Sequence, residues 1–195
     1  MPYNNLSIGL FGGSFNPAHN GHMHVATTAL RALGLDQIWW MVSPQNPMKP
    51  EQPSYESRVA TVEALGLPYQ MKISHMEAMF GTNYTEDTIR MALKTWPSTR
   101  FVFLMGADNF LQLPKWRNWH YIMKSVPIAV IARAGKNRTA IKARLGKAAK
   151  IYNPYRLDEH QADILKYCQA PAWTYLTPPL NHLSSTAIRN SRVNR

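Results

Sequence analysis

A short apolar run, Ser7-Ile8-Gly9-Leu10-Phe11, ends in Gly12-Gly13 and passes into a helix-period pattern. His22, Val25, Ala26, Ala29, Leu30 and Leu33 recur at spacings of three and four, which is one face of an amphipathic helix, and Gly34 stands where that helix should stop. A buried strand running through a glycine turn into a helix is half of a crossover unit, and the next strand then lies parallel to the first. The chain repeats the alternation. Ile38–Val42 reads as a second buried strand, and Ser43–Pro53, with its four prolines, as an extended loop. Ser54 is placed to cap a helix reaching about Leu65, with Glu56 in its first turn. Tyr69–Ser74 reads as a third strand. Thr85 is placed to cap the next helix, followed by Glu86 and Asp87, and that helix should end before Pro97. Arg100–Met105, closed by Gly106, is the clearest strand. Ile128–Ala132 and Trp173–Leu176 complete the set, and a C-terminal helix is expected from about Ser184.

Strands alternating with helices of ten to thirteen residues predict an α/β fold: a doubly wound, mostly parallel sheet with right-handed crossovers and helices on both faces. Ligands in such folds sit at the carboxyl ends of the strands, near the switch point. Residues 1–195 read as one domain without repeat, low-complexity tract or linker, and Asn153-Pro154-Tyr155 reads as a turn. The 195 residues suffice for one core, and a hydrophobic fraction of 45% argues against disorder. No apolar run approaches the ~20 residues of a membrane-spanning helix. The start, Met1-Pro2-Tyr3-Asn4-Asn5, lacks the features of a secretory signal. The single cysteine, Cys168, excludes an internal disulfide and a cysteine-based metal cluster, fits a reducing cytoplasm, and reads as a buried small apolar residue.

Twenty-two basic residues against eleven acidic ones give a formal charge of +11, which favours polyanionic partners. The basic residues are densest between Arg133 and Lys150, where the composition suits an exposed helix. No recognition motif accompanies the charge, so neither nucleic acid nor membrane is an expected partner, and nucleotides are the better fit. A homo-oligomer is compatible with the sequence.

Two segments carry chemistry. The first is Gly12-Gly13-Ser14-Phe15-Asn16-Pro17-Ala18-His19-Asn20-Gly21-His22. Its glycines let backbone amides approach a ligand, and the following helix start offers N–H groups and a positive dipole end to a phosphate. His19 and His22 lie at that same end, where imidazoles facing the cleft can donate to phosphoryl oxygens. The bland alternative is a glycine turn with two incidental surface histidines. The second segment is Leu183-Ser184-Ser185-Thr186-Ala187-Ile188-Arg189. Hydroxyls and amides at a helix start, with an arginine one turn on, make a second anion site, and an ordinary capped helix is the alternative. The remaining histidines, His24, His75, His120, His160 and His182, show no metal-ligand spacing and read as structural.

The first segment resembles the GSFxPxHxGH signature of the nucleotidyltransferase superfamily, and the second its ISSTxIR element. Within that superfamily the chain is most similar to the bacterial nicotinate-nucleotide adenylyltransferases. Further likeness lies in Asn83-Tyr84-Thr85-Glu86-Asp87-Thr88, Met105-Gly106-Ala107-Asp108-Asn109 and Pro114-Lys115-Trp116. The resemblance implies a Rossmann-like fold and adenylyl transfer from ATP to nicotinate mononucleotide, giving deamido-NAD and pyrophosphate. His19, His22 and Arg189 would act on the phosphates. Gly12, Gly13, Ser14, Phe15 and Gly106 would line the nucleotide, Asp108 would accept from the adenosine ribose, and Ser184, Ser185 and Thr186 would hold the triphosphate. Trp116 would stack on the pyridine ring, the amides of Thr85 and Arg117 would receive the nicotinate carboxylate, and Lys49 and Arg133 would add positive charge on that side. Mg²⁺ would travel with ATP, held by substrate phosphates and water.

Three of these roles have independent competitors in the sequence. Asp108 also fits a helix N-cap, Trp116, near Trp119 and Tyr121, also fits core packing, and Thr85 also fits helix capping alone. The chain departs from the family pattern at Asn16, where aspartate is common, and at Asn46-Pro47-Met48-Lys49, where Pro-Pro-His-Lys is common. Two other readings stay open on the sequence: a related transferase with a different phosphorylated acceptor, and a catalytically silent nucleotide- or nucleic-acid-binding module.

Overall fold

The computed structural model describes residues 3–44, 52–132 and 137–178. Their strands form one seven-stranded sheet. In chain order the elements begin with β1 (Ser7–Gly13), α1 (Asn20–Ala32), β2 (Gln37–Val42), α2 (Tyr55–Glu63), β3 (Met71–Ser74), α3 (Met76–Met79) and α4 (Thr85–Thr95). There follow β4 (Arg100–Gly106), α5 (Ala107–Gln112), α6 (Trp119–Ser125), β5 (Ile128–Ile131), α7 (Asn137–Arg144), α8 (Lys147–Ile151), β6 (Arg156–Leu157) and β7 (Trp173–Leu176). Short 3₁₀ segments cover Leu113–Lys115, Asn153–Tyr155 and Glu159–Tyr167. The strand order is β3-β2-β1-β4-β5-β7-β6, and every neighbouring pair is parallel.

Side chains alternate across the sheet into two cores, which is why the strands read as continuous apolar runs. Ile8, Leu10, Trp39, Met41, Phe101, Phe103, Ile128 and Val130 enter one core with α3, α4, α5 and α6. Phe11, Ile38, Trp40, Val102, Leu104, Ala129 and Ile131 enter the other with α1, α2 and the Glu159–Tyr167 segment. The sheet is therefore doubly wound, as expected, and wholly parallel.

The differences from the sequence reading have local causes. β1 does not stop at Phe11: Gly12 and Gly13 pair with Met41 and Val42, so both glycines belong to the strand end. Helices past α4 are shorter than ten residues, too short for a period to show. The described part of the basic stretch, from Asn137, is two helices broken at Leu145-Gly146, with Ala143, Ala148 and Ala149 buried and Lys142, Arg144 and Lys150 exposed. Thr85 does not cap α4. It is the first helical residue, Tyr84 is the cap position without a side-chain bond, and the Thr82 hydroxyl accepts from the Tyr84 N–H at 3.1 Å while donating to Asp87 at 3.1 Å. Cys168 is half-buried rather than buried, with its thiol near the Ile164 carbonyl at 3.4 Å. Ser54 caps α2 as predicted, accepting from the Ser57 N–H at 3.1 Å.

Gly9 sits mid-strand, facing the second core. A Cβ there would meet Leu104 Cδ1 at 2.7 Å and Leu35 Cδ1 at 2.9 Å, both fixed among buried neighbours. Gly9→Ala should therefore destabilise by ~1–3 kcal/mol through overpacking. Chemical denaturation checks this, and an unchanged midpoint would show that the core absorbs the methyl.

Candidate active site

The site opens where β1 and β4 part. β1 pairs with β4 only as far as Phe11 opposite Leu104, but with β2 as far as Gly13 opposite Val42. From these two strands the chain then leaves on opposite faces, β1 toward α1 and β4 toward α5. That divergence is the switch point of a doubly wound sheet, where a crevice forms at the carboxyl ends. Gly12, Gly13 and Ser14 lie on one side of it, Gly106 and Asp108 on the other. Gly13 lacks a side chain for a reason: a Cβ there would meet the Phe15 ring at 3.0 Å. Phe15 itself takes a left-handed backbone at φ 45°, and its ring is buried against Phe11, Trp40 and His22. Its ring belongs to the core, so what Phe15 can offer a nucleotide is backbone.

His19 and His22 are not incidental surface residues. They are only 5% and 6% exposed, with ring centroids 4.0 Å apart. His19 is the N-cap of α1, and its Nδ1 accepts from the Gly21 N–H at 3.0 Å. His22 reaches back so that its Nδ1 accepts from the His19 N–H at 3.3 Å. The pair forms a capping box built from imidazoles rather than from serine and glutamate. An Nδ1 that accepts carries no proton, so the ring hydrogen of each neutral imidazole is on Nε2. The bonds that start the helix thus also fix which nitrogen can donate. With the positive end of α1 beside them, they suit phosphoryl oxygens.

Across the crevice, Gly106 is the N-cap of α5 and Asp108 lies in its first turn, half-buried. The cap position is taken by Gly106, so the alternative of Asp108 as N-cap does not hold. Its carboxylate stands just past the end of β4, where it can read paired hydroxyls.

A second cluster forms around the start of α4. Thr85 is half-buried there. The exposed Arg117 guanidinium is ion-paired with Glu86 at 3.1 Å and with Asp87, and lies 3.7 Å from the Tyr84 ring centroid. These contacts tie the segment carrying Trp116 and Arg117 to the residues flanking Thr85. Trp116 is half-buried against the first core, whereas Trp119 is the one that fills it at 7% exposure. Packing and an accessible ring are therefore combined in Trp116. Lys49, Arg133, Ser184, Ser185, Thr186 and Arg189 lie outside the described residues. Among the described residues no three His, Cys, Asp or Glu side chains gather as a metal set, and no helix is long and apolar enough to cross a membrane.

The sequence reading missed residues that support the crevice from beneath. Thr61 of α2 accepts from the Ala18 N–H at 3.0 Å, and Arg58 donates to backbone carbonyls around the loop. An arginine on the same helical face as Val59 and Val62 was the available signal. Glu77 on α3 is buried, and the Thr88 hydroxyl donates to it at 3.2 Å. Burial raises its carboxyl to about 7, while hydrogen bonding to Thr88 and Ser43 pulls the other way. Because the folded value is above the ordinary one of 4.5, the folded state holds the extra proton between about pH 4.5 and 7. Its contribution is complete below that window and is lost as pH rises through it. Glu77→Gln should thus match the parent's stability at pH 5 and exceed it at pH 8. Melting at both pH values checks this, and an equal difference at both would count against a neutral buried carboxyl.

Comparison with known proteins follows the same lines. Residues 10–191 match the family described as cytidylyltransferase-like. A protein of Parvibaculum lavamentivorans named "Probable nicotinate-nucleotide adenylyltransferase" is 46% identical over 94% of this chain and 91% of its own length. One of the same name from Caulobacter sp. strain K31 is 46% identical over 96% of this chain and 99% of its own. Among solved structures, Plasmodium falciparum nicotinic acid mononucleotide adenylyltransferase complexed with NaAD aligns with a TM-score of 0.70 at 15% identity, covering 95% of this chain and 83% of that one. At that identity the likeness is one of fold. Identity approaching half over nearly the full length of both chains carries the stronger conclusion: this chain belongs to the nicotinate-nucleotide adenylyltransferase family of cytidylyltransferase-like proteins.

Proposed function

We propose that the chain transfers the adenylyl group of ATP to nicotinate mononucleotide, producing deamido-NAD and pyrophosphate in the biosynthesis of NAD in the cytoplasm. The observation that carries this reading is the imidazole capping box at the start of α1, beside the split between β1 and β4. It fixes the tautomer of two imidazoles beside a helix dipole at the carboxyl edge of the sheet.

A 5′-phosphate oxygen of nicotinate mononucleotide attacks the α-phosphorus of ATP in line. The bond from that phosphorus to the bridging oxygen breaks, and pyrophosphate leaves with the electron pair. The nucleophile is already anionic, so no side chain has to remove a proton. Catalysis then consists of positioning and of neutralising charge on the α-phosphoryl and pyrophosphate oxygens. His19 and His22 donate through Nε2, with His22 nearest the reacting phosphate. Backbone groups of Gly12, Gly13, Ser14, Phe15 and Gly106 line the nucleotide, and Asp108 accepts from the ribose hydroxyls. Ser184, Ser185, Thr186 and Arg189 hold the triphosphate, a role taken from the family motif. Trp116 stacks on the pyridine ring, the amides of Thr85 and Arg117 receive its carboxylate, and Lys49 and Arg133 add positive charge there. Mg²⁺ enters with ATP as part of the substrate.

The test is pyrophosphate release with MgATP and either nicotinate mononucleotide or its amide counterpart, with faster turnover expected on the acid. His22→Ala should lower turnover by ~10²–10³-fold, the loss typical of one charge-stabilising donor. It also removes half of the capping box, so stability should fall by ~1 kcal/mol with the fold intact. Near-normal turnover of a folded His22→Ala chain would refute the role given to His22, and absence of adenylyl transfer in the parent would refute the function.

A further inference from the structure

Arg58 is only 1% exposed, the most deeply buried charged side chain among the described residues. Its guanidinium donates to four backbone carbonyls from three separate stretches of chain. Nη1 reaches Ser14 at 2.9 Å and Ser43 at 2.6 Å, Nη2 reaches Pro44 at 2.6 Å, and Nε reaches Pro53 at 3.0 Å. Ser14 belongs to the loop leaving β1. Ser43 and Pro44 follow β2, and Pro53 precedes α2. One planar fork therefore holds the phosphate-facing loop together with both ends of the connection that follows β2. Thr61, one turn further along α2, adds bonds to Phe15 and Ala18 of the same loop.

The bonds use four of the five donors of Arg58 without balancing its charge. Among the described residues no carboxylate forms an ion pair with it, and of the groups that act on it, the Tyr55 phenol and Glu56, the one carboxylate is exposed on α2. Burying a guanidinium without a counter-ion costs several kcal/mol, and the four carbonyls supply hydrogen bonds but no opposite charge. A lysine could not replace the fork, because its three donors radiate from one point. The retained charge has a use if an anion binds just above it.

We propose that Arg58 is a positioning residue for adenylyl transfer: its buried fork sets the Ser14 loop and the Ser43–Pro53 anchors in one frame, and its charge is balanced by the nucleotide phosphates seated on that loop. The inference rests on the adenylyl-transfer reading of this site. Geometry and charge are separable by substitution. Arg58→Lys keeps the charge and loses the fork, and Arg58→Met loses both.

Three measurements decide it: pyrophosphate release with MgATP and nicotinate mononucleotide, the Kd for ATP, and Tm without ligand. For Arg58→Lys, kcat should fall by ~10²-fold, as for a small misplacement of reacting groups, with the ATP Kd nearly unchanged. For Arg58→Met, kcat should fall as far and ATP binding should also weaken about tenfold or more. A purely structural role would lower Tm and the active fraction, leaving kcat and Kd of the folded molecules untouched. Folded variants with parental kcat and Kd overturn the inference alone. If Arg58→Met does not fold, Arg58→Lys decides through kcat, and failure of both to fold makes the residue structural and overturns the proposal. A parent chain that neither binds ATP nor releases pyrophosphate overturns the adenylyl-transfer reading and this inference with it.

Discussion

β1 is enclosed on both faces and paired on both edges, and the rest of the molecule follows from that. A strand so placed has no water for its backbone groups, so β2 and β4 must supply the hydrogen bonds. Its two faces need two separate layers of helix, one led by α1 and one by α4, α5 and α6. Parallel pairing on both sides also requires the chain to cross over in opposite directions from the centre. The place where β1 keeps β2 but loses β4, just after Phe11, is thus a consequence of burial.

The proposed chemistry uses the same bonds as the architecture. The capping box of His19 and His22 ends the loop, begins α1 and assigns the ring protons in one arrangement. Behind it, the largely edge-to-face cluster of Phe11, Phe15 and Trp40 packs on the His22 side of the turn. In the proposed reaction, imidazoles held this way lose little further freedom when a phosphate arrives, which is the condition for electrostatic stabilisation without reorganisation. Arg58 is a fixed, buried cation behind the same loop, and in the proposed reaction the overall charge of +11 favours approach of two anionic substrates.

Much of this was legible in the chain. Ile38–Val42, Arg100–Met105, Ile128–Ala132 and Trp173–Leu176 stood out because strands buried on both faces must be apolar throughout. The α1 pattern was legible because thirteen residues span more than three turns. The α3, α5 and α6 helices were not, because four to seven residues carry no readable period and are held by packing. Thr85 falls one position inside α4, where the chain enters the helix through a turn in which the Thr82 hydroxyl accepts from the Tyr84 N–H. β6 has two residues on the sheet edge, and its pairing with β7 leaves no mark in composition.

By itself, the sequence determined the succession of strands and helices, the glycines at the end of β1 and the residue types of the His19–His22 turn. These depend on neighbours in the chain, on periodicity and on steric preference, all of which act over a few residues. Only the tertiary structure decided that both imidazoles are buried and accept through Nδ1, that the ring of Phe15 belongs to the core, and that Gly106 rather than Asp108 starts α5. It alone joined Ser14, Ser43, Pro44 and Pro53 through Arg58. Those outcomes depend on groups far apart in the chain competing for the same donors, acceptors and space, and that competition is settled only when the layers close.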